Sequence, residues 1–235
     1  MVFAQLITDS LRQAGELVAS ADSELAAIVL LSLQVSIAAV LFALAVGVPT
    51  GTWLALGRFR GRRLLVAMAN AGMGLPPVVV GLTVAILLWR SGPFGAWGLL
   101  YTPAAMIIAQ LIIALPIVIA LTISAIQSLD PQIVMETKAL GASPRHSVLV
   151  LWREARLGLL AAAMAGFGGA VSEVGAVLMV GGNIRGQTRV MTTAIVMETR
   201  MGRFNQAIAL SALLLFLVFL ANFALTYFQQ RQADD

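Results

Sequence analysis

Long intervals without a charged side chain are the feature that most constrains what this chain can fold into. A helix needs about 20 consecutive apolar residues to cross the roughly 30 Å hydrocarbon core of a bilayer. Five intervals are long enough, within Leu25 to Gly57, Leu64 to Trp89, Thr102 to Leu129, Leu157 to Val180, and Phe204 to Tyr227, and only the fourth contains a charge, Glu173. Transmembrane strands would instead alternate polar and apolar residues over pieces of about 10 residues. The sequence therefore predicts an all-α integral membrane protein with five transmembrane helices.

The residues before the first interval form a different pattern. In "MVFAQLITDSLRQAGELVAS", Phe3, Ile7 and Leu11 share one helical face, whereas Asp9 and Glu16 lie elsewhere. This pattern is typical of an amphipathic helix that lies in the membrane interface. It lacks the basic start and continuous apolar core of a cleavable signal peptide. We therefore expect residues 1–24 to remain in the mature chain as an interfacial helix of one transmembrane domain, 1–235.

Arginines in short loops predict the orientation in the membrane. The loop "GRFRGRR" and the segment 130–156 are both basic, and two predicted spans separate them, so they lie on the same side. The positive-inside rule places that side in the cytoplasm, with the N-terminus outside and the C-terminus in the cytoplasm. Four arginines then lie outside, namely Arg185, Arg189, Arg200 and Arg203. Three tasks fit them: attracting anions, docking an acidic carrier protein, or contact with lipid phosphates.

The scarcity of reactive side chains excludes most catalytic chemistry. Lys138 is the only lysine, His146 is the only histidine, and cysteine is absent. A phosphate-binding loop needs a Gly-rich turn that ends in Lys and Ser or Thr, and metal sites or nucleophile–base pairs usually need His or Cys. The chain is therefore expected to be no enzyme, to hold no metal or cofactor, and to bind no nucleic acid. A conduit or a coupling element remains.

The polar residues gather in the stretch "METKALGASPRHSVLVLWREARL", residues 135 to 157. It predicts two short helices broken at Gly141, because glycine tolerates a left-handed C-cap. Ser143 can cap the second helix, with Pro144 at its first position. A bent pair of this kind can project from the membrane and contact a soluble partner. A basic loop held by anionic lipid is the alternative.

This stretch resembles the cytoplasmic signature loop of binding-protein-dependent ABC importer permeases. The family pattern is Glu-Ala-Ala, then a Gly, and further on a Leu-Pro pair. Gly141 supplies the Gly, but the family's Glu falls on Met135 and Glu136 comes one residue late, while the Leu-Pro pair falls on Arg153 and Glu154. The resemblance implies contact with an ATPase through Glu136, Thr137, Lys138, Gly141, Ala142, Ser143, Pro144 and Arg145.

Four motifs extend the resemblance over most of the chain: "RFRGRRLL", "GLPPVVVGL", "SLDPQIVMETKALGAS" and "AVSEVGAVLMVGGNIRGQTRVMTTAI". They occur in the order found in permeases of the molybdate and tungstate type, and "LWREARLG" looks most like the tungstate branch. The resemblance implies a type I ABC importer permease fold, working by alternating access as a homodimer in the inner (cytoplasmic) membrane of a prokaryote.

The same resemblance implies the partners. They are a second copy of the chain, two ATPase subunits that use ATP and Mg²⁺, an external binding protein, the lipid bilayer, and a tetrahedral oxyanion, with tungstate ahead of molybdate. A molybdate or sulfate permease is the alternative within the class. An ATPase-independent anion channel and a structural membrane subunit without transport are the alternatives outside it.

Prolines and one carboxylate mark the predicted spans. The Pro76–Pro77 pair lacks N–H groups, which leaves carbonyls unpaired and bends the helix. The bend belongs either to a substrate path or to a kink required for packing. Glu173 shares a face with small residues that suits a dimer seam. Because burying an ionised carboxylate costs about 2.5–3.5 kcal/mol, Glu173 should act as a gate or position a helix. The candidate pathway residues are Pro76, Pro77, Thr83, Ser172, Glu173 and Asn183, with Arg185 and Arg189 at the outer entrance or carrier dock.

Overall fold

The computed structural model describes residues 23–139 and 141–233, and this part of the chain consists of helices joined by short connections. The amphipathic helix expected over residues 1–24 lies almost entirely outside the described residues. The helices are α1 (Ser23–Leu56), α2 (Arg62–Gly72), α3 (Pro77–Leu88), α4 (Pro103–Gln127), α5 (Pro131–Ala139), α6 (Pro144–Glu154), α7 (Arg156–Val171), α8 (Gly175–Gly181), α9 (Met191–Arg200) and α10 (Phe204–Ala233). No strand occurs in the described residues, and the all-α prediction is confirmed.

Helices α1 and α4 are long and apolar enough to cross a membrane, and they pack side by side in the same direction. Gly47 lies against Val118, and one turn further along both helices Gly51 lies against Thr122. A Cβ atom on Gly51 would lie 2.7 Å from the Thr122 Cβ, so the absence of a side chain permits the close approach. Because both helices run from one membrane side to the other, residues 57–102 must return across the membrane.

Two helices separated by a break form this return crossing of the membrane. Helices α2 and α3 meet at an angle of 103°. Gly72, at the end of α2, packs against Pro116 near the middle of α4. Helix α3 then continues towards the start of α4, where Leu88 and Ala105 belong to one buried cluster. The predicted second span is therefore two helices at nearly a right angle, and the bend predicted at the Pro76–Pro77 pair is present.

The fourth span is also broken, and it runs antiparallel to α4. Gly158 in α7 packs against Ala125 near the end of α4. At the other end, the Tyr101 N–H, just before α4, donates to the Val180 carbonyl in α8 at 2.8 Å. The bend between α7 and α8 is 58°. The pair thus covers the same membrane depth as α4 in the opposite direction.

Helix α10 completes the bundle and runs antiparallel to α7. The Gln229 side-chain amide donates to the Leu157 carbonyl at 3.2 Å, and Leu214 packs near the cluster that contains Phe167. Three long helices and two broken pairs therefore give five crossings, as the sequence predicts. The N-terminal residue of α1 and the C-terminal residue of α10 consequently lie at opposite ends of the bundle.

The short helix α9 enters the bundle without crossing it. The Met191 N–H donates to the Ser32 Oγ at 2.9 Å, whereas Ala194 packs with Leu25 and Leu210, nearer the start of α1. The bundle has two ends, which differ in their polar residues. The loop end contains residues 57–61 and 128–155, and the Glu24 end contains Glu24 with residues 182–203.

Candidate functional site

The polar stretch at the loop end has the predicted bend. Gly141 adopts a left-handed conformation with φ of 74°, and the following Ala142 N–H donates to the Thr137 carbonyl at 3.0 Å. This bond is the one that closes a helix at a Schellman C-cap. The Ser143 Oγ accepts from the His146 N–H at 3.3 Å, and Pro144 is the first residue of α6. The break at Gly141, the Ser143 cap and the place of Pro144 are therefore confirmed.

Helix α5 is exposed over most of its described residues and contacts the bundle through Ile133, whereas α6 is anchored more firmly. Leu151 of α6 is buried in a cluster with Ala125 and Ile126 of α4. The Trp152 indole N–H donates to the Thr52 Oγ1 of α1 at 2.9 Å. Among the predicted coupling residues, Glu136, Gly141, Ser143, Pro144 and Arg145 are exposed, Thr137 and Ala142 are half-buried, and the Lys138 side chain lies outside the described part.

The two breaks within the membrane lie side by side. A Cβ atom on Gly175, at the start of α8, would lie 2.8 Å from the Val78 Cγ2 at the start of α3. Further along both helices, a Cβ on Gly81 would lie 2.5 Å from the Ala176 Cα. Helices α3 and α8 therefore start at the same depth and run in parallel towards the Glu24 end. The structure thus brings the Pro76–Pro77 break next to the Ser172–Glu173 break.

Glu173 lies inside this junction and holds the start of α8. The residue is 7% exposed, and its Oε1 accepts from the Ala176 N–H at 2.8 Å. Its carbonyl accepts from the Thr192 hydroxyl at 3.1 Å, which ties α9 to the same junction. A carboxylate that accepts an N–H of the first helical turn satisfies a donor that the helix leaves unpaired. This geometry favours helix positioning over gating.

Two substitutions of Glu173 distinguish these roles. Glu173→Gln retains an oxygen that can accept from the Ala176 N–H, whereas Glu173→Ala removes it at a cost of about 0.5–2 kcal/mol. If the residue positions α8, we expect the Gln variant to keep most uptake and thermal stability, and the Ala variant to lose both. Thermal unfolding of the purified protein and uptake in proteoliposomes measure the two effects. Equal loss in both variants would show that the negative charge is required, as in a gate.

The other pathway candidates lie in different surroundings. Thr83 and Ser172 are exposed, but their hydroxyls donate within their own helices, to the Val79 carbonyl at 2.8 Å and the Gly168 carbonyl at 2.7 Å. Asn183 lies away from the breaks at the Glu24 end, where its Oδ1 accepts from the Thr193 hydroxyl at 2.9 Å. Ser172 therefore lies at one of the two breaks, Thr83 lies within α3 beyond the other break, and Asn183 is separated from both.

Three of the four arginines at the Glu24 end pair with carboxylates. The Arg185 guanidinium forms a two-pronged ion pair with Glu24, and Arg189 approaches the same carboxylate at 3.5 Å. Arg203 donates to Glu198 at 2.9 Å, and this hydrogen bond raises the pKa of Arg203. At this end of the bundle, acidic partners therefore offset part of the charge of the arginines. Sequence reasoning missed both partners.

Buried polar contacts between distant segments were also missed. The Gln110 amide donates to the Ala170 carbonyl at 2.9 Å and joins α4 to α7. The Arg62 guanidinium donates to the Leu54 carbonyl at 2.6 Å and caps the end of α1. Only Arg62 gives a signal in the sequence, because a cation just after a helix suits the unpaired carbonyls of its last turn.

Comparisons with known proteins agree with this architecture. The profile of the family described as "Binding-protein-dependent transport system inner membrane component" matches residues 47–234. The tungstate uptake system permease protein TupB of Peptoclostridium acidaminophilum is 41% identical over 218 residues, which cover 93% of this chain and 96% of that protein. A probable anion ABC transporter permease protein of Haloferax volcanii is 43% identical over 203 residues, which cover 84% of this chain and 88% of that protein. The inward-facing MetNI methionine ABC transporter matches with a TM-score of 0.73 at 22% identity, over 90% of this chain and 97% of that chain, which indicates the same fold.

Proposed function

Because the chain belongs to the family of binding-protein-dependent transport system inner membrane components, we propose that it is the pore-forming subunit of an ATP-driven oxyanion importer. The observation that carries the proposal is the exposed helix α5, joined by the turn at Gly141 to α6, which is hydrogen-bonded to the first span. This geometry suits a subunit that receives motion from a separate ATPase. Similarity to a tungstate permease over 93% of the chain supports tungstate as the substrate.

In this proposal the ATPase moves α5, and the bundle receives the movement through α6. The segment from Glu136 to Arg145 contacts the ATPase. The Trp152–Thr52 hydrogen bond transmits motion to α1, and the packing of Leu151 on Ile126 transmits it to α4. The ATPase holds ATP and Mg²⁺, and we propose no cofactor site in this chain.

We propose that two copies of the chain enclose the pathway by alternating access. Five spans are few for one copy to surround a gated path, and α3 leaves an apolar face exposed that includes Val78, Val79, Leu82 and Ile86. Residues 1–235 then form one transmembrane domain with residues 130–156 as its coupling loop, and an external binding protein delivers the anion.

The pathway should hold the anion weakly, because an ion that is bound tightly inside a membrane is not released. The five predicted spans contain no lysine or arginine that could trap a dianion. We propose that backbone at the Pro76–Pro77 break, together with Thr83 and Ser172, lines the path with neutral groups or ordered water. Glu173 then positions α8 beside the path and does not bind the anion.

We propose that the loop end faces the cytoplasm of a prokaryotic cell, with the N-terminus outside and the C-terminus inside. The basic residues of loop 57–61 and of segment 130–156 support this orientation. Ser143 is exposed, and the chain has no native cysteine. A cysteine introduced at Ser143 should therefore react with an impermeant maleimide only after the cells are opened, and labelling of intact cells would contradict the orientation.

Uptake by the reconstituted complex tests the function directly. Proteoliposomes that contain this chain, its ATPase and its binding protein should accumulate tungstate only when ATP is present. An excess of molybdate or sulfate should compete less well than unlabelled tungstate. Anion current through the chain without the ATPase would identify a channel instead. A complex that carries sulfate or molybdate but never tungstate would refute the substrate and leave the importer class intact.

The arginine pair at the Glu24 end is proposed to attract the anion or dock its carrier. Replacing both Arg185 and Arg189 with Gln should lower uptake most at low substrate and low salt, since surface fields are screened within about 8–10 Å at physiological ionic strength. Glu24→Gln should raise uptake under the same conditions, because its carboxylate offsets part of their charge. Initial uptake rates at several salt concentrations measure both effects. Equal loss in both variants at every salt concentration would instead indicate a purely structural ion pair.

A further inference from the structure

Three arginines at the loop end differ from those at the Glu24 end. Arg58, Arg60 and Arg63 are exposed, and within residues 23–139 and 141–233 the structure gives them no carboxylate partner. Their neighbour Arg62 is instead occupied by the carbonyls of Leu54 and Ala55. This surface therefore carries three guanidinium groups that form no ion pair within the described part of the chain.

An apolar cleft of about 430 Å³ lies beside this charge. Trp53 of α1 and Trp152 of α6 line it, together with Leu56, Gly57 and Val148. The Trp53 ring is 55% exposed and stacks on Phe59 with a centroid distance of 4.5 Å. The cleft is thus open, aromatic, and located where a membrane-spanning helix ends, which is where Trp side chains meet the lipid headgroups.

The cleft continues into a larger groove that carries charge. The two cavities share Leu56, Gly57 and Val148 in their walls, and the groove, of about 980 Å³, is also lined by Arg58. Asp130 lies in the same groove, where its Oδ1 accepts from the Gln132 N–H at 2.8 Å and caps α5. An apolar slot and a guanidinium therefore adjoin, as the two parts of an anionic lipid require.

We propose that an anionic phospholipid occupies this site, with an acyl chain in the Trp53–Trp152 cleft and its phosphate on Arg58 and Arg60. Arginine binds phosphate with a planar set of donors, and each basic residue near a membrane surface contributes about 1 kcal/mol to anionic lipid binding. A protein bound at this site would need carboxylates that pair with the arginines. It would also need an apolar segment that fills a cleft at the membrane surface. Val148 and Trp152 belong to α6, so the bound lipid packs against the helix that receives the movement of α5 in the proposed function.

Quenching of tryptophan fluorescence by brominated lipids tests the site without any transport assay. Trp89→Phe and Trp97→Phe leave Trp53 and Trp152 as the only tryptophans of the chain. This background is reconstituted in mixtures of phosphatidylglycerol and phosphatidylcholine, with one of the two lipids brominated. We expect the site to bind phosphatidylglycerol at least about fivefold more tightly than phosphatidylcholine.

In the double variant Arg58→Gln and Arg60→Gln, the affinities for phosphatidylglycerol and phosphatidylcholine should differ by no more than about twofold. Arg200→Gln is the matched control, since Arg200 is exposed at the opposite end of the bundle, and it should leave the preference unchanged. An unaltered preference in the double variant would overturn the proposal. Quenching by neither lipid would show that protein covers the cleft and would also overturn it. Loss of the ATPase subunit from the purified complex of the double variant, with lipid preference intact, would assign the arginines to the ATPase.

Discussion

A valine at position 141 is expected to abolish most ATP-driven uptake while the membrane domain stays folded. Gly141 has a φ of 74°, a conformation that costs non-glycine residues about 1–3 kcal/mol and that β-branched residues resist most. A Cβ atom there would meet nothing within 4 Å, so the effect would come from the backbone and not from a clash. The strain can be relieved only by changing the turn that aims α5.

Uptake and ATP hydrolysis of the reconstituted Gly141→Val complex measure this effect together. We expect uptake to fall at least about tenfold, equivalent to about 1.4 kcal/mol of coupling, while the variant assembles and hydrolysis continues. Gly141→Asn is the matched control, because asparagine tolerates the left-handed conformation, and it should keep most uptake. Normal uptake by the valine variant would show that the turn does not transmit motion.

The second large effect is expected for Gly81→Val, which should destabilise the protein itself. A Cβ atom on Gly81 would lie 2.5 Å from the Ala176 Cα and 3.2 Å from its carbonyl oxygen. Backbone atoms cannot rotate away as a side chain can, so α3 and α8 must separate. Overpacking of this kind costs about 1–3 kcal/mol and occasionally more, which corresponds to a melting temperature lower by about 2–12 °C for a chain of this size.

Thermal unfolding of the purified protein, followed by size-exclusion chromatography, measures this loss of stability. Gly168→Ala is the control, since an added Cβ at this helical glycine would meet nothing within 4 Å and alanine favours a helix by about 1 kcal/mol. The control should match or exceed the original stability. A Gly81→Val protein with unchanged melting temperature and uptake would contradict the close packing of α3 on α8.

Spans and turns were predictable because they depend on residues close together in the sequence. Length and absence of charge identify a membrane span, the Pro76–Pro77 pair identifies a bend, and Gly141 with its Ser143 cap identifies the turn of the coupling loop. The bend at Ser172–Glu173 was not predicted, because no proline marks it and a buried carboxylate holds it.

Contacts between distant segments were beyond sequence reasoning. The Arg185–Glu24 pair joins residues 161 positions apart, and the Trp152–Thr52 bond joins residues 100 positions apart. Each depends on which helix faces are adjacent in the bundle, and apolar spans carry little information on this point because they are hydrophobic on every side. The roles of Arg185 and Arg189 therefore changed most, from isolated cations to partners of a carboxylate.

The contact between Gly81 and Ala176 has a consequence for how this sequence can vary. Neither position can gain volume alone, because Gly81 lies against the Ala176 backbone and Ala176 is itself fully buried. Substitutions at these two positions are therefore coupled, and a branched residue at either one would require α3 and α8 to move apart. In a library that randomises Gly81 and Ala176 together, selection for uptake should return small residues at both positions.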